Sequence, residues 1–141
     1  MTIGRIIEGR DAVVTCDVAM TVREAAGILA EKRIGAVPVM ENGEIAGIFS
    51  ERDVIYKLRE LGADMLDMPL GHIMTALPVT IEPETSVMAA LSLMTRRRIR
   101  HLPVVKNGRM VGFVSIGDLV KYRIDKIENE AAAMRDYIQT A

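Results

Sequence analysis

The chain of 141 residues has one cysteine, no tryptophan and only 4% aromatic residues. A single cysteine, Cys16, excludes an intrachain disulfide and any multi-cysteine zinc site. It follows a short apolar stretch and reads as a small buried hydrophobe rather than a nucleophile. With so few rings the core must be Val, Ile, Leu, Ala and Met, and the ten methionines read as core filler. No aromatic platform is available for stacking single-stranded nucleic acid. Charge of one sign is missing as well. Eighteen basic and 19 acidic side chains leave a net charge of −1, so neither general nucleic-acid affinity nor an acidic-tail role is implied. No apolar run reaches the roughly 18 residues of a membrane span, and Met1 to Asp11 has no apolar h-region of a signal peptide. The expectation is a soluble cytoplasmic protein with no membrane partner. His72, His101 and Cys16 do not have metal-ligand spacing. There is no Gly-x-Ser-x-Gly elbow, P-loop or paired catalytic constellation. The expectation is therefore no metal, no covalent cofactor and no catalysis.

What the chain does contain is a repetition. At a constant offset of 65 residues Val14-Thr15 recurs as Val79-Thr80, Val22 as Val87, Arg33-Ile34 as Arg98-Ile99 and Pro38 as Pro103. Asn42-Gly43 recurs as Asn107-Gly108, Gly47 as Gly112, Ser50 as Ser115 and Asp53 as Asp118, without a gap. An internal repeat decides architecture before any local reading does. Two copies of one small motif predict a pseudo-two-fold α/β (α+β) module with its chemistry between the copies.

Each copy reads strand, helix, strand, strand, helix. In the first, Ala12 to Thr15 is expected as a strand. Thr21-Val22-Arg23-Glu24 has the form of a capping box and opens a helix with Val22, Ala25, Ala26 and Leu29 on one face. That helix should end near Arg33, with Gly35 suiting the turn. Ala36 to Met40 is a strand in which Pro38 cannot donate, which predicts an edge or an interruption. Asn42-Gly43 is a hairpin signal, Glu44 to Phe49 the return strand, and Ser50 caps a helix to about Leu61. The second copy repeats this, with a strand from Leu77 to Ile81, a helix capped by Thr85 or Ser86, and a final helix capped by Ser115. Gly62 to Met74 is an irregular connector with a helical turn near His72. In the last helix Val120, Ile124, Ile127, Ala131, Met134 and Ile138 form a heptad-like seam, which packs either on its own domain or on a second subunit.

Three motifs, each present twice in the same order, carry a resemblance to a known family. They are Gly35-Ala36-Val37-Pro38-Val39 with Arg100-His101-Leu102-Pro103-Val104, the Asn-Gly hairpins, and Gly47-Ile48-Phe49-Ser50-Glu51-Arg52-Asp53 with Gly112-Phe113-Val114-Ser115-Ile116-Gly117-Asp118. Together with the entry segment His72 to Thr75 they resemble a tandem pair of CBS domains, a Bateman module. The resemblance covers roughly 5–123, with one unit over 5–65 and a second over 66–123; the seam places an extended C-terminal helix over 119–141. It implies two units related by a pseudo-two-fold axis, with two clefts that take adenosine-containing ligands such as AMP, ATP, NAD(H) or S-adenosylmethionine.

The candidate residues have plain and functional readings side by side. Ser50-x-x-Asp53 and Ser115-x-x-Asp118 are helix N-terminal boxes, which alone could explain them. The same helix starts attract phosphate, and an Asp carboxylate can accept from both hydroxyls of a ribose. Arg96 and Arg97 suit a helix C-terminus. Arg100 and His101 open a strand and, by the resemblance, sit where phosphate is held; a guanidinium there can bind phosphate oxygens bidentately. Arg52 adds a cation that Gly117, its counterpart, cannot. The Gly35-Ala36 side offers mainly backbone polar groups, so the two clefts should be chemically unequal. The resemblance further implies a base pocket along Thr15, Gly35, Ala36, Val37 and Pro38 on one side and Thr80, Leu102, Pro103 and Ile116 on the other.

The reading that follows is a non-catalytic sensor that binds an adenine nucleotide as a regulatory ligand and signals through packing or oligomer state, as a homodimer or higher homo-oligomer acting on a regulated protein the sequence does not name. The alternative is a structural or interaction module with vestigial clefts. RNA binding by Arg96 to Arg100 is opposed by the near-zero net charge and the missing aromatic platform.

Overall fold

The structure, a computed structural model, describes residues 1–140. Helix α1 (Ile3–Ile7) is followed by the two-residue strand β1 (Cys16–Asp17), α2 (Val22–Lys32), β2 (Ala36–Glu41), β3 (Glu44–Ser50) and α3 (Glu51–Leu61). A 3-10 turn (Ala63–Asp67) and α4 (Leu70–Ile73) form the connector. The second copy comprises β4 (Thr75–Ala76), α5 (Val87–Arg97), β5 (His101–Lys106), β6 (Arg109–Ser115) and α6 (Ile116–Thr140). The doubled α+β architecture and the long last helix are therefore as the sequence predicts.

The sequence explains most of these elements locally. Thr21 caps α2 by accepting from the Glu24 N–H, and Ser86 caps α5 by accepting from the Ala89 N–H. Both helices stop at an arginine in the left-handed region, Arg33 at φ 54° and Arg98 at φ 55°. The turn after α2 is therefore made by Arg33 and not by Gly35. In the hairpins Asn42, Gly43, Asn107 and Gly108 all have positive φ, the requirement of a type I′ turn, whose twist matches the flanking strands. Both hairpins carry a register shift after the second core residue of the first strand, at Val39/Met40 and Val104/Val105.

Pro38 and Pro103 act as interruptions. β1 runs parallel to β2 and pairs only from Val39 onward. The matching bridge, Ile81 with Val104, likewise starts just beyond Pro103. This corrects two expected strands. Ala12 to Thr15 is not a strand, because the ladder begins at Cys16. Of Leu77 to Ile81 only Ile81 pairs, while the nearby β4 at Thr75–Ala76 adds to the first copy's sheet, next to β3.

Each copy has its own apolar core. One holds Cys16, Val22, Ala25, Leu29, Val37, Val39 and Phe49; the other holds Ile81, Val87, Ala90, Met94, Leu102, Val104 and Val114 at the matching positions. The cores are closed by crossed-over segments. Connector residues Met65, Leu70 and Ile73 complete the first, and Ile3 of α1 completes the second. The bonds repeat as well. Leu70 and Gly71 N–H donate to the Met20 and Val18 carbonyls, and Ile3 and Gly4 N–H donate to those of Thr85 and Pro83. The chain N-terminal to the first copy is thus tied to the second copy, which brings residues 10–14 back across the boundary between them. β3 and β6 meet at that boundary.

The seam on α6 does not pack on its own domain. Leu119 is the only fully buried α6 residue, while Val120, Ile124, Ile127, Met134 and Ile138 are exposed. On α3, Ile55, Tyr56 and Leu58 are exposed too. No helix among the described residues is long and apolar enough to cross a membrane.

Candidate functional site

The helix-start boxes are formed in both copies. The Ser50 N–H donates to Asp53 Oδ2 at 2.9 Å and the Asp53 N–H donates to Ser50 Oγ at 3.3 Å. In the second copy the Ser115 N–H donates to Asp118 Oδ2 at 2.8 Å and the Asp118 N–H to Ser115 Oγ at 3.1 Å. The capping reading is therefore correct as far as it goes. Each carboxylate also lines a cleft between the copies, so capping holds it there in a fixed orientation.

One cleft, of about 430 Å³, contains Ser50, Arg52 and Asp53 from the start of α3, Thr75 and Leu77 to Val79 from the entry to the second copy, and Arg98 to His101 from the approach to β5. The other, of about 560 Å³, contains Ser115 and Asp118, Arg10 to Val14, and Arg33 to Ala36. Both volumes lie in the range of small-molecule sites, roughly 300–1,000 Å³. The clefts are images of each other under the offset of 65, since Arg33 to Ala36 correspond to Arg98 to His101 and Asp118 to Asp53. Gly35 and His101 border both. His101 is stacked on Phe113, with ring centroids 5.5 Å apart. Burial pulls its imidazole below the ordinary value, against the opposing pull of Asp118 and Glu51, so at neutral pH it offers an uncharged ring.

The two carboxylates differ. Burial pushes Asp53 above its ordinary value in spite of the Ser50 N–H and hydroxyl, Lys57 and Thr75. Burial also pushes Asp118 upward, but the Ser115 N–H and Arg10 outweigh it and hold the carboxyl below the ordinary range. Arg10 forms an ion pair with Asp118, Nη2 to Oδ1 at 3.2 Å and Nη1 to Oδ2 at 3.3 Å. Among the described residues no ion pair reaches Asp53.

Of the residues singled out from the sequence, Ser50, Arg52, Asp53, Arg100 and His101 come together in the Asp53 cleft, and Ser115, Asp118, Gly35 and Ala36 in the Asp118 cleft, with Gly35 and His101 shared. Val37 and Leu102 are core side chains, and Pro38 and Pro103 are buried beside them. Ile116 packs against the second core. Thr15 and Thr80 are exposed and line neither cleft. Arg10, Thr75, Leu77 and Tyr56 line the clefts without having been singled out. Carrying the offset comparison back to position 10 would have set Arg10 against Thr75.

Comparison with known proteins identifies the repeated unit. The family model for the CBS domain matches twice, at residues 4–60 and 70–125. The chain is 38% identical over 129 residues to the CBS domain-containing protein CBSX3, mitochondrial, of Arabidopsis thaliana, spanning 88% of this chain and 63% of that protein. It is similar in structure to the CBS-domain containing protein ATU1752 from Agrobacterium tumefaciens, with TM-score 0.82 and 37% identity over 87% of this chain and 99% of the other. It also shares its fold with CBSX2, solved in complex with AMP, at TM-score 0.75 and 24% identity over 88% and 96% of the two chains.

Proposed function

We propose that this chain, which belongs to the CBS-domain family, is a non-catalytic sensor that binds adenosine-containing nucleotides in the two clefts between its CBS units. The observation that carries this reading is a capped carboxylate facing a cleft at the boundary of the units, found twice, with arginines beside it. In the Asp53 cleft, Asp53 is placed to accept from ribose hydroxyls. Arg52, Arg98 and Arg100 supply cations for a phosphate, and Leu77, Pro78, Val79 and Ile99 supply an apolar wall for a base. CBSX2, which shares this fold, was solved in complex with AMP, which supports the reading. AMP, ATP and NAD(H) are the proposed ligands here.

A ligand shifts a conformational equilibrium only through differential affinity for its states. The clefts lie between units joined by the α1 and α4 crossovers, so a ligand that bridges the units favours one packing of them. The exposed apolar faces of α3 and α6 suit a second copy of the chain, which makes a homodimer the proposed output unit. Calorimetric titration with AMP, ATP, NADH and S-adenosylmethionine tests the reading. At least one should bind more tightly than about 1 mM. Binding by none of them would leave the boxes as helix caps and the chain as a structural or interaction module.

A further inference from the structure

The clefts are equivalent in backbone and in their Ser-x-x-Asp boxes, yet one position facing the carboxylate is exchanged. Arg10 faces Asp118, and its counterpart at the offset of 65, Thr75, faces Asp53. Both guanidinium ends are engaged with both Asp118 oxygens, and Oδ2 also accepts from Ser115. A ribose diol cannot donate both its hydroxyls to that carboxylate without drawing Arg10 off. We propose that Arg10 is the residue that makes the Asp118 cleft selective for phosphate-bearing ligands: it closes Asp118 until an anionic group on the incoming nucleoside gives the guanidinium a new partner.

This rests on the reading of the clefts as nucleotide sites, and the chemistry follows from the exchange itself. When an uncharged nucleoside enters, the ion pair breaks and the ligand brings no anion to replace the carboxylate. When a nucleoside monophosphate enters, the guanidinium moves from carboxylate to phosphate, where two parallel N–H···O bonds are available. The pair is partly exposed, with side chains 39% and 33% accessible, so it can open without unfolding its surroundings. In the Asp53 cleft the Thr75 hydroxyl offers no such barrier. The opposite displacement of the two carboxyls, Asp53 upward and Asp118 downward, reflects the same asymmetry.

AMP and adenosine, titrated separately into the whole chain while amide shifts at Ser115–Asp118 and Ser50–Asp53 are followed, resolve the clefts. Arg10→Thr should make adenosine bind the Asp118 cleft roughly two- to fivefold more tightly, the range of an exposed ion pair. It should weaken AMP there by about tenfold, the range of a lost charge-assisted hydrogen bond. The Asp53 cleft should not change. Thr75→Arg should weaken adenosine at the Asp53 cleft while leaving the Asp118 cleft as it was. Equal changes for the two ligands in Arg10→Thr, or none, would overturn the proposal while leaving the clefts as nucleotide sites. If neither ligand moves the Asp118 cleft in any variant, the nucleotide reading of that cleft fails and the proposal with it.

Discussion

Gly47 and Gly112 occupy the same place in the two copies, and the structure gives them different neighbours. A Cβ built at Gly47 lies 2.6 Å from the Thr75 carbonyl oxygen and 2.6 Å from Met74 Sδ, whereas one at Gly112 lies 2.8 Å from Ile7 Cγ2. Ordinary non-bonded contacts begin near 3.5 Å, so Gly47→Ala must part β3 from β4 by roughly 1 Å. The backbone there is held by the Gly47–Ala76 and Ile48–Thr75 pairs, whereas at Gly112 the neighbour is a side chain, Ile7, whose Cγ2 and Cβ can yield only with a shift of the short helix α1. Overpacking costs about 1–3 kcal/mol, and replacing a strand glycine returns about 0.4–1 kcal/mol through the unfolded chain. Gly47→Ala falls at the upper end and should lose about 2 kcal/mol, or roughly 7 °C in Tm for a chain of this length. Gly112→Ala falls lower in that range and should lose about 1 kcal/mol, clearly less than Gly47→Ala. Urea unfolding of both variants measures the difference. The site provides a second readout, because moving β4 moves Thr75 and Leu77 and should weaken nucleotide binding at the Asp53 cleft alone. Equal losses in the two variants, or a larger loss for Gly112→Ala, would refute the reasoning.

Removing the caps with Ser50→Ala or Ser115→Ala should cost about 1 kcal/mol each, seen as a lower urea midpoint. The carboxyls should titrate in a fixed order by carbon NMR. On acidification Asp53, pushed up by burial, takes its proton before an ordinary aspartate, and Asp118 takes its proton after one. The sign for stability follows. The depressed Asp118 contributes stabilisation that is present above the unfolded value of about 3.9 and lost as pH falls through its folded value. Asp53, whose folded value is raised, contributes the opposite sign, so Asp118→Asn should flatten the acid limb of the stability curve and Asp53→Asn should not. The reverse order of titration would contradict the ion-pair assignment. On α6, Ile127→Lys should leave unfolding of the chain within about 0.5 kcal/mol of the parent, because the side chain is exposed. It should remove self-association in sedimentation. An undiminished dimer would take the seam out of the proposed interface.

Much of the fold was legible because the repeat could be read at a single offset. The hairpins, the helix starts at Thr21, Ser50, Ser86 and Ser115, and the apolar faces of α2 and α5 are local signals that folding left intact. The misplaced strands failed for a tertiary reason. The β-branched residues in 12–15 and 77–81 suggested pairing, but Pro38 and Pro103 cannot donate, so each parallel ladder starts only beyond them, at Cys16 and Ile81. The crossovers were not legible, since nothing local says that Ile3 belongs to the second core and Leu70 to the first. That exchange is also what carries Arg10 to Asp118, a contact across 108 positions of the chain. The box residues, by contrast, were legible because the capping chemistry that fixes them is local. Thr15 and Thr80 entered the base pocket by family resemblance alone, and the chain turns them outward.

The two related clefts are proposed to bind an adenine nucleotide unequally. Titration of AMP into the isotopically labelled chain, followed at the amides of Arg98–His101 with Ser50–Asp53 and of Arg33–Ala36 with Ser115–Asp118, tests it most directly. Two saturable sets of shifts are expected, the first with the lower midpoint because its arginines are more numerous and its carboxylate carries no ion pair. Shifts in neither set below about 1 mM, or identical midpoints in both, would contradict it.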